Sequence, residues 1–98
     1  MWTIRQSEAF AKWFGALKDK RAKERVAQRV VRVQAGLIGD VRPVGEGVSE
    51  LRVDYGPGYR VYFCRRGEDV ILLLCGGDKS TQDRDIREAK AMAKEIEQ

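Results

Sequence analysis

The sequence predicts a single α+β domain whose elements follow the order β–α–α–β–β–β–α. Apolar residues recur at helical spacing in the first third of the chain and again from residue 82 onward. Between residues 41 and 75, short alternating or apolar stretches separated by glycine-rich turns are typical of strands. A chain of 98 residues buries about 60–68% of its unfolded surface, so residues 1–98 can build one modest core and no second domain.

The chain begins with a short strand and an amphipathic helix. Residues 2–5 alternate weakly, and Ser7 then stands where a helix N-cap is expected. The helix carries a mostly aromatic row at helical spacing, made of Phe10, Trp13, Phe14 and Leu17. We expect this row to lie in the core.

A second helix is predicted over residues 21–35 and ends at Gly36. Its apolar row consists of Val26, Val30, Val33 and Leu37. Another face carries four arginines at a similar spacing, with three lysines close by: Arg21, Arg25, Arg29, Arg32, Lys18, Lys20 and Lys23. Because like charges on one face repel, this row favours an acidic or polyanionic partner over a purely solvated surface.

The positive charge of the chain is concentrated in its first third. Residues 1–35 hold nine Lys or Arg against three Asp or Glu, a charge of +6. Residues 36–82 hold six against seven, and residues 83–98 hold four against five, so each of these segments contributes −1 to the net +4. This asymmetry also favours a polyanionic or acidic partner.

Strands are predicted at residues 41–44, 48–55, 59–64 and 70–75, with turns at Gly45-Glu46-Gly47 and Tyr55-Gly56-Pro57-Gly58. The last strand is continuously apolar, which predicts a central position with both faces covered. We interpret Gly76-Gly77 as a turn that ends this strand, so that the polar run over residues 78–82 meets a ligand at the edge of the sheet. The final helix, over residues 82–98, has an apolar side made of Ile86, Ala89, Ala93 and Ile96.

Composition excludes several classes of protein. No run of about 18 apolar residues exists, and the N-terminus lacks the basic-then-apolar plan of a signal peptide, which favours a cytoplasmic protein with no membrane partner. Cys64 and Cys75 lie in apolar stretches, which favours buried thiols over a disulfide. Because the chain has no histidine, most zinc sites and every histidine-based acid–base scheme are excluded, and we expect no metal or cofactor.

Two strand arginines and a loop lysine are the main candidates for chemistry. Arg52 and Arg60 flank the turn at residues 55–58, and arginines in a small sheet either face solvent or bind an anion. A simple four-residue loop would place them on opposite faces, whereas one extra, bulged residue would place them on the same face. The sequence leaves both registers open. On one face, and joined by Lys79 from the next strand end, they would form a cationic concavity about the size of a phosphodiester.

The start of the last helix offers further candidates. Asp83 and Asp85 lie in its first turn, where carboxylates stabilise the helix dipole, and Asp85 is also a candidate base beside the Lys79 loop. Gln82 is a candidate hydrogen-bonding partner for a nucleobase, a ribose or a backbone group. The segment from Gly76 to Ser80 lacks the spacing of a Walker loop, so a nucleotide hydrolase is not favoured.

Several segments resemble one family. Three segments occur in this order: Phe-Ala-Lys-Trp-Phe-Gly-Ala-Leu-Lys-Asp (10–19), Gly-Pro-Gly-Tyr-Arg (56–60), and Gly-Gly-Asp-Lys-Ser-Thr-Gln (76–82) followed by Asp85-Ile86. The chain thereby resembles the RelE/HigB-like addiction module killer branch of the RelE/ParE toxins. This resemblance implies a microbial-ribonuclease-type fold, with two N-terminal helices packed on a small antiparallel sheet. It also implies a bacterial toxin that is silenced by a HigA-like helix-turn-helix antitoxin.

The resemblance implies roles for particular residues. Arg60 matches the family arginine that contacts the scissile phosphate. Arg52 matches a basic residue of the preceding strand, and Lys79 matches a second phosphate-binding position. The family's downstream tyrosine and histidines are missing, and Asp85 occupies their neighbourhood. RelE-like members cleave mRNA in the ribosomal A site, so the resemblance implies a ribosome-dependent endoribonuclease. Gln82 and the basic row of the second helix, with its neighbouring lysines, are then expected to bind RNA. An acidic stretch of antitoxin is the alternative partner of the basic row.

Three other functions stay open at this point. ParE-like members of the same superfamily poison DNA gyrase and need no RNA-cleaving site. A non-catalytic module that docks on nucleic acid or antitoxin would have the same basic surface. An inactive relic is also compatible with the fold, although the polar loop at residues 78–82 is intact.

Overall fold

A computed structural model describes residues 1–96. The elements in chain order are β1 (Thr3–Gln6), α1 (Glu8–Ala16), α2 (Lys20–Gln34), β2 (Val41–Gly45), β3 (Val48–Val53), β4 (Tyr59–Arg66), β5 (Val70–Asp78), a 3₁₀ turn (Lys79–Thr81) and α3 (Gln82–Ile96). The α+β class is as predicted. The predicted order β–α–α–β–β–β–α has one strand too few, although each of the five observed strands overlaps a stretch that was predicted individually, at residues 2–5, 41–44, 48–55, 59–64 and 70–75. The end of the last predicted helix, residues 97–98, lies outside the described residues.

The five strands form one mixed sheet in the order β1-β5-β4-β3-β2. Strands β2 to β5 pair with their neighbours in antiparallel fashion, as the family resemblance implies. Strand β1 instead lies parallel to β5, with Thr3 opposite Val70, so the expectation of a purely antiparallel sheet is wrong. The first strand covers the edge that β5 would otherwise expose, and this places β5 inside the sheet as predicted.

Helices cover both faces of the sheet. Helices α1 and α2 enclose one core cluster, and α3 encloses another on the opposite face. Ser7 caps α1 by accepting a hydrogen bond from the Phe10 amide at 3.0 Å, and the predicted aromatic row packs in the first cluster. Leu37 does not belong to this core: it is 58% exposed, because α2 ends at Gln34 and Gly36 turns the chain with a φ of 87°.

The glycine pair at residues 76–77 is not a turn. Strand β5 continues through both glycines to Asp78, so our interpretation of the pair as a strand end is wrong. A methyl group at Gly76 would overlap the indole ring of Trp13, and one at Gly77 would overlap the Asp85 carboxylate. The two glycines therefore provide room for α1 on one face of the sheet and α3 on the other.

Cys64 and Cys75 are both buried and are not joined by a disulfide. Among residues 1–96, no helix combines the length and the apolar composition that crossing a bilayer requires.

Candidate anion-binding active site

The register of β3 and β4 places the two strand arginines on one face of the sheet. Arg52 is the direct partner of Arg60, and Val53 is the partner of Tyr59. Side chains of directly opposed residues project from the same face of an antiparallel pair. The loop is therefore one residue longer than the four-residue turn, because Asp54 belongs to it as well. The structure thus selects the same-face register, one of the two left open by the sequence.

A cleft of about 450 Å³, which we call the sheet cleft, opens at this end of the sheet. It is lined by Asp40, Arg52, Val53, Asp54, Gly56, Pro57, Gly58, Arg60 and Lys79. Gly58 lies between two of the cations, since a Cβ added there would stand 3.4 Å from Arg60 Nη1 and 3.6 Å from Lys79 Cβ. The structure therefore brings Arg52, Arg60 and Lys79 to one cleft, and their catalytic roles stay predictions.

The buried carboxylate of Glu50 lies beside the Arg60 guanidinium. Arg60 is 5% exposed and Glu50 is 1% exposed, and Arg60 Nε lies 3.7 Å from Glu50 Oε1. Glu50 Oε2 accepts hydrogen bonds from the Tyr62 hydroxyl at 3.1 Å and from Gln82 Nε2 at 2.8 Å. Arg60 Nη1 donates to the Gly58 carbonyl at 3.2 Å. Glu50 therefore compensates the buried guanidinium charge and limits its movement.

Sequence reasoning missed Glu50. A signal was present, because residues 50 and 52 share one face of a strand and Tyr62 stands opposite Glu50 in the register that unites the arginines. Burial and the negative charge of Glu50 raise the pKa of Tyr62. The phenol therefore stays protonated and donates to the carboxylate.

The loop that carries Lys79 is fixed by Asp78. Asp78 Oδ1 accepts hydrogen bonds from the Ser80 amide at 2.8 Å and from the Ser80 hydroxyl, and Thr81 completes the capping box. These hydrogen bonds, chiefly the one from the Ser80 side chain, lower the pKa of Asp78. The carboxylate thus stays charged and holds the 3₁₀ turn, which sets the position of Lys79 at the rim of the sheet cleft.

Asp85 does not line the sheet cleft. Its carboxylate is buried over Gly77, accepts a hydrogen bond from Thr81 Oγ1 at 2.6 Å, and lies 3.6 Å from Arg84 Nη2. Asp85 thus lies beside the Lys79 turn, as expected, but packing against the sheet turns its carboxylate away from the sheet cleft, and its role as a base stays a prediction. The carboxylates that line the cleft are Asp40 and Asp54, which sequence reasoning did not select.

Three of the four arginines in the row on α2 lie in a cleft. Arg25, Arg29 and Arg32 line a second cleft of about 370 Å³, which we call the helix cleft, together with Gln28, Gly39, Asp40, Arg52, Val53 and Asp54. Arg29 Nη2 donates to the carbonyls of Ile38 at 3.3 Å and Asp40 at 3.4 Å. Burial, and then the charge of Arg32, lowers the pKa of Arg29. This side chain therefore fixes the loop after α2 as well as charging the cleft.

The other predicted RNA-binding residues lie outside the lining of the helix cleft. Lys18, Lys20 and Arg21 are exposed near the start of α2. Lys23 Nζ donates to the Gly15 carbonyl at 3.2 Å. Gln82 lies in a third cleft beside Lys79, and its amide nitrogen is already hydrogen-bonded to Glu50.

Comparison with known proteins identifies the family. The family model described as "Phage derived protein Gp49-like (DUF891)" matches residues 12–97. A protein of Haemophilus influenzae, named only "Uncharacterized protein", is 46% identical over 93 residues, which cover 95% of this chain and 94% of that protein. Both matches include the strands and loops that build the sheet cleft. The chain belongs to the phage-derived Gp49-like family.

Proposed function

We propose that this chain is the toxin of a type II toxin–antitoxin pair and that it cleaves mRNA on the ribosome. The observation that carries the proposal is the convergence of Arg52, Arg60 and Lys79 on one cleft. Three cations from separate stretches of backbone can stabilise a phosphodiester, which gains negative charge during cleavage. The resemblance of the segments 56–60 and 76–82 to RelE/HigB-like toxins supports the same reaction.

The proposed reaction is an internal transesterification. The ribose 2′-oxygen attacks the adjacent phosphorus, the bond from phosphorus to the 5′-oxygen breaks, and a 2′,3′-cyclic phosphate remains. The attacking hydroxyl gives up its proton to a base, and the leaving 5′-oxygen takes up a proton from water. Asp40 and Asp54 replace Asp85 as candidate bases, because they line the sheet cleft and Asp85 does not. The guanidiniums and the lysine stabilise the phosphoryl oxygens.

The reaction depends on electrostatics and on positioning. A single oriented donor to a developing oxyanion commonly contributes about 2.7–4 kcal/mol to transition-state stabilisation. The chain has no imidazole to act as an acid or base near neutral pH. Alignment of the 2′-hydroxyl with the phosphate must therefore come from how the substrate is held, and the ribosome would supply that alignment.

The remaining basic residues have a proposed role in docking. Lys18, Lys20, Arg21 and Lys23 lie at or just before the start of α2, where they would contact ribosomal RNA phosphates. Gln82 would contribute its free carbonyl oxygen to RNA beside Lys79. A HigA-like helix-turn-helix antitoxin is the proposed neutralising partner, and the neighbouring reading frame is where its gene is expected.

The test determines whether the protein acts on translation or on DNA gyrase. Purified protein is added to a reconstituted translation reaction and, separately, to a gyrase supercoiling reaction. We expect translation to stop with mRNA cut, supercoiling to continue, and Lys79→Ala to slow the cutting by about 100-fold or more. Blocked supercoiling with intact mRNA would favour the gyrase-directed function. Inhibition that persists in Lys79→Ala would favour a non-catalytic binding module.

A further inference from the structure

The sheet cleft and the helix cleft share part of their walls. Four residues line both of them: Asp40, Arg52, Val53 and Asp54. Arg52 therefore stands at their junction, and its buried Nε has no hydrogen-bond partner among the described residues. An anion held by Arg52 in the sheet cleft lies directly beside the arginines that α2 contributes to the helix cleft.

The helix cleft has an excess of positive charge, and two of its arginines are oriented before any ligand binds. Its lining holds four arginines, at positions 25, 29, 32 and 52, against two carboxylates, at positions 40 and 54. Arg29 is anchored by the Ile38 and Asp40 carbonyls, and the Arg25 guanidinium lies 5.4 Å from the centre of the Tyr55 ring. Guanidiniums that are already oriented lose little side-chain entropy when they bind a phosphate.

We propose that the helix cleft is a second phosphate site, which holds the phosphate adjacent to the scissile one on the same single RNA strand. This inference rests on the proposed function, because that function makes RNA the ligand of the sheet cleft. Val53 is the one aliphatic side chain among the described residues that line the helix cleft. An amphipathic acidic peptide needs apolar anchors, so this lining favours a polynucleotide backbone.

The test measures binding, with RNA that cannot be cleaved. Dinucleotides and hexanucleotides with 2′-O-methyl groups lack the attacking hydroxyl, and fluorescence anisotropy gives the Kd of each over a range of salt concentrations. Each phosphate contact to single-stranded RNA contributes about 0.7 to the slope of log Kd against log[salt]. Since the helix cleft is proposed to hold one phosphate, Arg25→Gln/Arg32→Gln should lower the hexanucleotide slope by about 0.7 and leave the dinucleotide slope unchanged.

Two further variants serve as references. Lys79→Ala should lower the slope for both RNAs, because Lys79 lines the sheet cleft. Arg66→Gln/Lys94→Gln removes the same number of charges at exposed positions outside both clefts and should change neither slope. Circular dichroism melting curves check that every variant is folded.

Several outcomes would overturn the second phosphate site. These are an unchanged hexanucleotide slope in Arg25→Gln/Arg32→Gln, an equal loss for the dinucleotide, or no measurable hexanucleotide binding at low salt. Tighter binding of a hexaglutamate peptide than of the hexanucleotide, lost in the double variant, would assign the cleft to an acidic polypeptide instead. Cleavage of ribosome-bound mRNA with an unchanged slope would contradict this site alone. The expected slopes without any cleavage would support the site and contradict the nuclease.

Discussion

Arg52 and Arg60 are direct cross-strand partners on β3 and β4, although both carry a positive charge. Like charges in this position are destabilising. Each arginine has its own carboxylate: Arg60 Nε lies 3.7 Å from Glu50 Oε1, and Arg52 Nε lies 3.9 Å from Asp40 Oδ2. Neither Nε makes a hydrogen bond among the described residues. The carboxylates thus permit the two guanidiniums to stand side by side, where a bound phosphate would relieve their repulsion.

Removing one cation from the sheet cleft should slow RNA cleavage without unfolding the protein. We expect Arg52→Gln and Lys79→Ala each to lower the single-turnover rate on ribosome-bound mRNA by about 100-fold or more, because each removes one donor to the phosphoryl oxygens. Both side chains are partly or fully exposed, so the loss of stability should be small. Arg66→Ala, at the far end of β4, is the matched control and should cleave at the wild-type rate. A loss below threefold in both cleft variants would remove them from the reaction.

Glu50 should matter for stability as well as for the orientation of Arg60. Glu50→Ala leaves a guanidinium that is 5% exposed without its carboxylate, and we expect a loss of about 3–5 kcal/mol in the free energy of unfolding. Urea denaturation measures this loss. Glu50→Leu/Arg60→Met should recover most of it, because the double variant buries no charge. If both variants lose the same free energy, the buried pair is not the cause.

The two glycines of β5 should be intolerant of a methyl group. Gly77→Ala would overlap the Asp85 carboxylate and Gly76→Ala the Trp13 ring, so each should destabilise the protein by about 1–3 kcal/mol. Gly15→Ala is the control, because Gly15 lies in α1 with no neighbouring atom within 4 Å of an added Cβ. That variant should gain about 0.5–1 kcal/mol. Thermal melts that show Gly77→Ala to be as stable as Gly15→Ala would contradict the packing argument.

The spacing of apolar residues predicted the features that depend on neighbours along the chain. The Ser7 cap, the aromatic row of α1 and the valines of α2 were predicted because helix geometry determines which of these residues face inward. The strand around residues 70–75 was placed inside the sheet because apolar side chains alternate to both faces.

Features that depend on distant neighbours were not predictable. A glycine provides either a turn or room for another group, and only the positions of Trp13 and Asp85 show that Gly76 and Gly77 provide room. The register of Arg52 and Arg60 depended on a single loop residue. The inward position of Asp85 and the role of Glu50 follow from packing between α3 and the sheet, which no local pattern encodes.

Cys75 should resist alkylation in the native protein. Burial, with smaller contributions from Glu88 and Asp85, raises the pKa of Cys75 from 9.0 to about 12. At pH 9, about 0.1% of this thiol is thiolate, against half of a thiol with the ordinary pKa, so native alkylation should be at least about 100-fold slower than in urea. Mass spectrometry after iodoacetamide treatment in a Cys64→Ala background reports on Cys75 alone. Equal rates with and without urea would contradict the burial effect.

The same raised pKa predicts how stability depends on pH. The folded protein binds the Cys75 proton more tightly than the unfolded chain does. The contribution of this thiol to stability is therefore fully present below pH 9 and is lost as the pH rises toward 12. Denaturation curves for Cys75→Ala should show a smaller loss of stability across this range than those of the unsubstituted chain. An identical pH dependence would rule out Cys75 as its source.

We expect one RNA phosphate to be bound and cleaved between Arg52, Arg60 and Lys79. The most direct measurement follows one mRNA, free and on programmed ribosomes, under single-turnover conditions, and identifies the new 3′ end by mass spectrometry. We expect a cut on the ribosome that leaves a 2′,3′-cyclic phosphate, and little cleavage of the same mRNA in free solution. Intact mRNA on ribosomes that excess protein has inhibited would contradict this mechanism, as would a new 3′ end that carries a free hydroxyl.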